Sequence, residues 1–227
     1  MCIRDRGFLT EKKKISSIKH YETDTLKDLY MYNMGNVILQ VTQNCNLRCE
    51  YCVYSGSYIN RVHTNKRMSF ETAVKTIDFL AAHSLNCNEV SIGFYGGEPL
   101  LEIELIKKAV SYAKEVFGEK KINFNMTTNA TLLNMDIADF LVQNDFNITI
   151  SLDGPRNIHN KNRIFANSNK GTFDLIMENI ALIREKYPFF DKKISFNAVI
   201  DLKQNVSCTN EFFLNYDTVK GLNVNGT

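Results

Sequence analysis

The sequence predicts an α/β protein built from parallel βα repeats, and three observations carry that prediction. Short β-branched apolar runs alternate with amphipathic helical segments from about residue 36 onward. No two runs are joined by a hairpin signal. Polar, chemistry-bearing residues gather just after the carboxyl end of each run, where an open doubly wound sheet or a partial barrel binds its ligands.

The elements follow in order. NVILQVT (36–42) reads as the first strand. Ser69 then has the character of an N-cap, with Glu71 in the first turn and Ala73, Val74, Ile77, Leu80 and Ala81 at helical spacing. EVSIGFY (89–95) is the second strand, followed by a helix over 101–117 with Ile106, Ala109, Val110, Ala113 and Phe117 on one face and Gly118 at its end. KINFNMT, FNITISL and KISFNAVI give three more strands, separated by helices over 134–144 and 173–187, the latter ended by Pro188. Five strands are thus expected. Residues 7–35 are polar and irregular, with one or two short helices.

Composition narrows the function classes. The 227 residues are 44% hydrophobic and 23% charged, with a net charge of +2, which describes an ordinary globular protein. Lys and Arg are dispersed, so no footprint for nucleic acid is present. No apolar run reaches membrane-spanning length and no signal-peptide pattern follows the N-terminus, so a cytoplasmic protein is expected. Three of the six cysteines, Cys45, Cys49 and Cys52, fall within eight residues as C-x3-C-x2-C. Such bunching favours metal binding over a disulfide framework.

Each of the first four strands is followed by residues that a plain connector does not need. After the first come the three cysteines. YGGEPL follows the second, with Gly96, Gly97 and Glu98; TTNATLL follows the third, with Thr127, Thr128 and Asn129. SLDGP follows the fourth, with Ser151 and Asp153, then His159 and Arg163. The fifth strand carries Asn197 between Phe196 and Ala198, an amide that suits a polar interior. Three thiolates can wrap a [4Fe–4S] cluster and leave one iron open. Zinc is the rival, with His63 or a water as fourth ligand, although the Cys52–His63 spacing is long for a structural zinc site.

Several of these residues also have plainer readings. Asp153 and Gly154 suit a turn after a strand. His159 suits a hydrogen-bonded loop histidine, Glu98 a helix start. Cys87 suits a partly buried thiol on the face away from the cysteines, and Cys208 an inert one.

In this order, CNLRCEYC, GGEP, TN and SLDGP…H…R resemble the radical S-adenosylmethionine (SAM) superfamily over nearly everything from 36 to about 200. The resemblance implies a partial (β/α)6 TIM-type barrel. It implies Cys45, Cys49 and Cys52 as ligands of a [4Fe–4S] cluster whose open iron chelates SAM. Gly96, Gly97 and Glu98 would present backbone and carboxylate to the SAM ammonium. Ser151 and Arg163 would hold the ribose and carboxylate end, Tyr51 would lie near the adenine, and Thr128, Asn129 and Asn197 would line the same cavity. GFYGGEPLL, TTNATLL and SLDGP resemble the branch that modifies peptides and proteins, which includes maturases of cysteine-rich peptides (thioether-type crosslinking) and anaerobic sulfatase maturases; the cysteine stretch leans to the former. A peptide or protein substrate and an electron donor such as ferredoxin or flavodoxin are implied. A zinc- or cluster-binding peptide-recognition module is the non-enzyme alternative. Two departures stand out: TNA where relatives more often have TNG, and Asn160 where an acidic residue often follows the histidine.

The chain ends carry their own expectations. MCIRDR matches a translation of ATGTGTATAAGAGACAG, the end of a common transposon sequencing adapter, so residues 1–6 read as a scar and Cys2 as no part of the biology. Residues 7–35 read as an N-terminal segment. Residues 36–227 read as a core domain that is incomplete where YDTVKGLNVNGT stops without a closing element.

Overall fold

Six parallel strands form one sheet in the order of the chain: β1 (Asn36–Thr42), β2 (Glu89–Gly96), β3 (Lys121–Thr128), β4 (Asn147–Ser151), β5 (Ile194–Ala198) and β6 (Asn223–Gly226). The computed structural model describes residues 17–55, 62–201 and 206–226, so the scar expected over residues 1–6 lies outside them. A doubly wound sheet reverses its strand order partway. Here each strand lies beside its predecessor in the same direction. With right-handed crossovers, this order carries the connecting helices round one face. The open alternative is thereby resolved in favour of the partial barrel.

The helices are α1 (Leu26–Tyr32), α2 (Phe70–His83), α3 (Ile103–Phe117), α4 (Met135–Gln143), α5 (Arg156–Asn162), α6 (Phe173–Lys186) and α7 (Val206–Asn215). Ser69 caps α2 as expected, its hydroxyl accepting from Thr72 N at 3.2 Å. Asn134 does the same for α4 through Ile137 N at 2.9 Å. Each such cap contributes about 1 kcal/mol.

Three features depart from the sequence expectation. The helix expected from residue 101 begins instead as a 3-10 turn, Pro99–Glu102, before α3. The polar segment RNIHNKN forms α5, so His159 is a buried helical residue and not a loop one. A sixth strand joins the five expected: NVNG forms β6 against Ser195–Ala198 of β5.

Strand alternation separates two environments. Leu39, Val41, Ile92, Phe94, Phe124, Met126, Ile148, Ile150 and Phe196 point to the helical layer and are buried. Phe94, Phe124 and Phe146 pack ring to ring within 6.4 Å, and burying one such side chain is worth about 2 kcal/mol. The opposite, concave face is polar. Asn125 Nδ2 donates to Ser91 Oγ at 2.7 Å, Asn147 Nδ2 to Asn125 Oδ1 at 3.1 Å, and Thr149 meets Ser195 at 3.1 Å. Asn197 continues this polar face at its carboxyl end, level with Ser151. Among the described residues no helix is long and apolar enough to cross a membrane.

Candidate active site

The cysteine loop leaves β1 and is held from both sides by main chain. On one side, Gly97 N donates to Thr42 O and Glu98 N to Asn44 O, both at 2.9 Å. Two glycines make this approach possible. A Cβ on Gly96 would stand 2.2 Å from Thr42 O, and one on Gly97 would stand 2.1 Å from Asn44 O. Gly96 also has φ +147, which side chains disfavour. On the other side the end of α5 and the segment after it take over: Arg48 N donates to Ile164 O at 2.9 Å, Glu50 N to Asn162 O at 3.1 Å, and Ala166 N to Asn46 O at 2.9 Å. Arg48 Nη1 braces the turn from within, on Cys45 O and Leu47 O.

This clamp presents the three cysteines to one cavity of about 270 Å³ at the carboxyl ends of the strands. Cys45, Cys49, Cys52, Tyr51, Gly96, Gly97, Thr128, Asn129, Ser151, Arg163 and Asn197 all line it. Of the residues that the resemblance assigns to cluster and SAM, Glu98 alone does not, and the rim residues Asp153 and His159 lie behind the wall as well. The Glu98 carboxylate is fully buried: Oε1 accepts from Leu100 N at 3.0 Å and Thr128 Oγ1 at 2.6 Å, and Oε2 accepts from Asn129 N at 2.7 Å. Burial pushes its pKa up and these three bonds oppose the rise. Glu98 therefore caps the 3-10 turn and ties the β2 loop to the β3 loop. The cap on Leu100 N agrees with the plainer reading of Glu98 as a helix start.

The β3 loop supplies a second polar tie. Asn129 Nδ2 donates to Asn46 Oδ1 at 2.9 Å, and Asn46 Nδ2 donates to Thr131 Oγ1 at 2.8 Å. Ala130, the departure within TNA, has φ +58 and is buried, so an alanine occupies a left-handed position that glycine fills more easily. Asn160, the other departure, accepts from Phe173 N at 3.0 Å and so caps α6.

Asp153 is the residue that sequence reasoning undervalued. It is 1% exposed and gathers three elements. Its Oδ2 accepts from Tyr51 Oη at 2.5 Å and Arg163 Nε at 3.0 Å, and its Oδ1 accepts from Val199 N at 3.2 Å. The guanidinium of Arg163 lies over the Tyr51 ring at 5.3 Å and sends Nη1 to within 3.9 Å of Cys49 Sγ. Gly154 follows with φ +130, where a Cβ would meet Thr209 Oγ1 at 2.8 Å. His159 is fully buried, with Nε2 2.9 Å from Thr172 Oγ1, and burial together with the Arg163 charge lowers its pKa to about 4. Among cavity residues not foreseen are Tyr54, whose hydroxyl meets Gln40 Nε2, and Tyr95 from the end of β2. An alternating strand register would have flagged Tyr95, since Ser91, Gly93 and Tyr95 share the concave face.

The thiols suit a metal group. Burial pushes the Cys45 thiol up to about 12, the Leu47 N–H opposes this, and the charges of Glu98, Cys49 and Cys52 add to it. Burial also raises Cys49, with Arg163 opposing. Thiolates crowded this way need a bound cation, and metal coordination deprotonates a thiol outright. N–H donors already face two of the sulfurs: Leu47 N stands 3.4 Å and Asn129 Nδ2 3.8 Å from Cys45 Sγ, with Arg163 Nη1 on Cys49 Sγ. Donors of this kind surround iron–sulfur thiolates. Among the described residues, no three His, Cys, Asp or Glu side chains form a group that would hold a single metal ion. A cuboidal cluster asks for less convergence than zinc, because each thiolate binds a different iron. His63, the possible fourth zinc ligand, lies on the cavity wall with Nε2 2.9 Å from Ser55 Oγ.

Fold and site together define a partial-barrel enzyme core with a three-thiol cofactor cavity. Residues 39–213 match the model of the radical SAM superfamily, and the chain belongs to that family. The family uses a [4Fe–4S] cluster and SAM, and the residues of this cavity fit both. The chain is 33% identical over 180 residues to a cysteine-type anaerobic sulfatase-maturating enzyme of Clostridium novyi, covering 78% of this chain and 46% of that one. It is 24% identical over 223 residues to the radical SAM cyclopropyl synthase TigE of Paramaledivibacter caminithermalis, covering 88% and 46%. Among solved structures, native anSMEcpe with bound AdoMet superposes with a TM-score of 0.71 at 26% identity, over 85% of this chain and 52% of that one. The chain spans about half the length of the curated relatives it matches.

Proposed function

We propose that this chain is the SAM-cleaving core of an enzyme that modifies a peptide or protein by hydrogen-atom abstraction. The carrying observation is that one cavity joins Cys45, Cys49 and Cys52 to Gly96, Gly97, Ser151, Arg163 and Asn197 at the carboxyl ends of the strands. Bound there, the cluster and SAM would supply one-electron reduction and hydrogen-atom abstraction from the substrate. The chain's own contribution is placement. Cys45, Cys49 and Cys52 would hold the cluster; the backbone of Gly96 and Gly97 lies open to an ammonium; Ser151 and Asn197 offer hydrogen bonds beside a ribose.

Oxidation of a Cys or Ser side chain, as in the sulfatase-maturating relatives, is the favoured reaction. Its support is that relatives of both cysteine and serine type share the matched region, and that anSMEcpe superposes with a bound Cp18Cys peptide. Thioether-type maturation of a cysteine-rich peptide is the second reading, favoured by the LQVTQNCNLRCEYCVYSG stretch itself. A cytoplasmic protein served by a ferredoxin- or flavodoxin-type donor completes the proposal.

The test is deuterium transfer. The reconstituted protein is mixed anaerobically with SAM, dithionite and a peptide deuterated at the Cβ of its single Cys or Ser. Deuterium in the released 5′-deoxyadenosine, with an aldehyde on the peptide, is expected. Release of 5′-deoxyadenosine that never carries peptide deuterium contradicts the peptide assignment.

A further inference from the structure

Two buried charges beside the cysteine loop are not explained by cofactor binding alone. Arg163 comes from the end of α5 and Asp153 from the loop after β4, and their side chains are 9% and 1% exposed. The guanidinium is committed on one edge to Asp153 Oδ2 at 3.0 Å, lies over the ring of Tyr51, and points Nη1 at Cys49 Sγ. Asp153 is in turn fixed by Tyr51 Oη and by Val199 N, so the pair cannot rotate away from the loop without losing both bonds. Tyr51 stands between Cys49 and Cys52 in sequence, so the pair is anchored to the cysteine loop itself.

We propose that the Asp153–Arg163 pair sets the reduction potential of the cluster held by Cys45, Cys49 and Cys52. Reduction adds one negative charge to the cluster. A cationic N–H donor at a ligand sulfur stabilises that added charge, and hydrogen bonds and net charge near the sulfurs are the established levers on such potentials. Arg163 therefore raises the potential, and the carboxylate of Asp153 holds part of that rise back while fixing the guanidinium in place. Asp153 is a positioning residue; Tyr51 locks it to the loop. Because both charges are buried, little solvent screening weakens either effect.

The inference rests on the cluster reading of the site, and the experiment separates the two. The full chain is reconstituted with iron and sulfide, and its cluster is titrated potentiometrically without SAM, using electron paramagnetic resonance of the reduced form. Arg163→Gln is expected to lower the midpoint so that, at the wild-type midpoint, the reduced-to-oxidised ratio falls at least tenfold, about 59 mV for one electron. Asp153→Asn is expected to shift it the opposite way. Arg163→Lys, which keeps the charge and loses the fork, is expected between wild type and Arg163→Gln, and this order carries the test if Asp153→Asn does not hold a cluster. Clusters that form in all variants with midpoints unchanged, or shifted in one common direction, overturn the inference. A wild-type protein that takes up no cluster overturns the function proposed above instead.

Discussion

Replacing Gly97 by Ala tests how the cysteine loop is placed. The added Cβ would stand 2.1 Å from Asn44 O, 2.6 Å from Asn44 C and 3.1 Å from Cys45 N. All three are main-chain atoms, so no rotamer change relieves the contact. Reaching ordinary contact requires the loop to retreat by about 1 Å. That retreat strains Gly97 N to Thr42 O and Glu98 N to Asn44 O, each worth about 1 kcal/mol. Overpacking adds roughly 1–3 kcal/mol, so the total loss reaches roughly 3–5 kcal/mol. The assay is urea denaturation of the metal-free protein alongside iron content after reconstitution. Gly118→Ala is the control, since its Cβ meets nothing within 4 Å and its cost, about 1–2 kcal/mol, comes from φ +57 alone. Gly97→Ala is expected to lose both stability and iron, whereas Gly118→Ala loses stability and keeps its iron. A Gly97→Ala protein with wild-type iron content and a loss under about 1 kcal/mol would refute the reasoning.

Three further outcomes follow from the same geometry. His159 binds a proton near pH 6.5 when unfolded and only near about 4 when folded, so stability is full above pH 6.5 and falls as pH drops through that window. The loss amounts to about 3 kcal/mol by pH 4, and His159→Gln should flatten that part of a stability–pH curve. Ala130→Gly should be near neutral, within about 1 kcal/mol by thermal denaturation, because relief at φ +58 offsets the lost methyl and the added chain entropy. Glu98→Gln should cost about 1–3 kcal/mol in denaturant, since an amide N–H₂ cannot accept from the donors around it, while SAM cleavage per cluster stays within a few-fold of wild type. A large fall in turnover with stability intact would assign a cofactor contact to Glu98.

The parts of the molecule legible in the sequence were those governed by local pattern. β1 to β5 announce themselves through β-branched runs, α2 through its Ser69 cap and α4 through the helical segment over 134–144. The rim residues were legible because a parallel barrel brings the carboxyl ends of its strands together. α5 was not, since RNIHNKN has only Ile158 and His159 buried and no apolar period. β6 was not, because NVNG is exposed and owes its conformation to the free edge of β5. Asp153 looked like a turn residue because its partners, Tyr51, Arg163 and Val199, come from three separate elements. Glu98 is the converse case: the motif gives its position, but only the fold shows that Thr128 and Asn129 of the β3 loop donate to its oxygens.

The central claim is that Cys45, Cys49 and Cys52 hold a cluster with an open iron that takes SAM. Anaerobic reconstitution followed by dithionite and SAM tests it most directly, with cluster absorption and 5′-deoxyadenosine read on the same sample. The wild-type chain should show both signals, and replacing the three cysteines together by Ala should abolish both. Zinc uptake without cluster absorption, or 5′-deoxyadenosine formed by the triple variant, would contradict it.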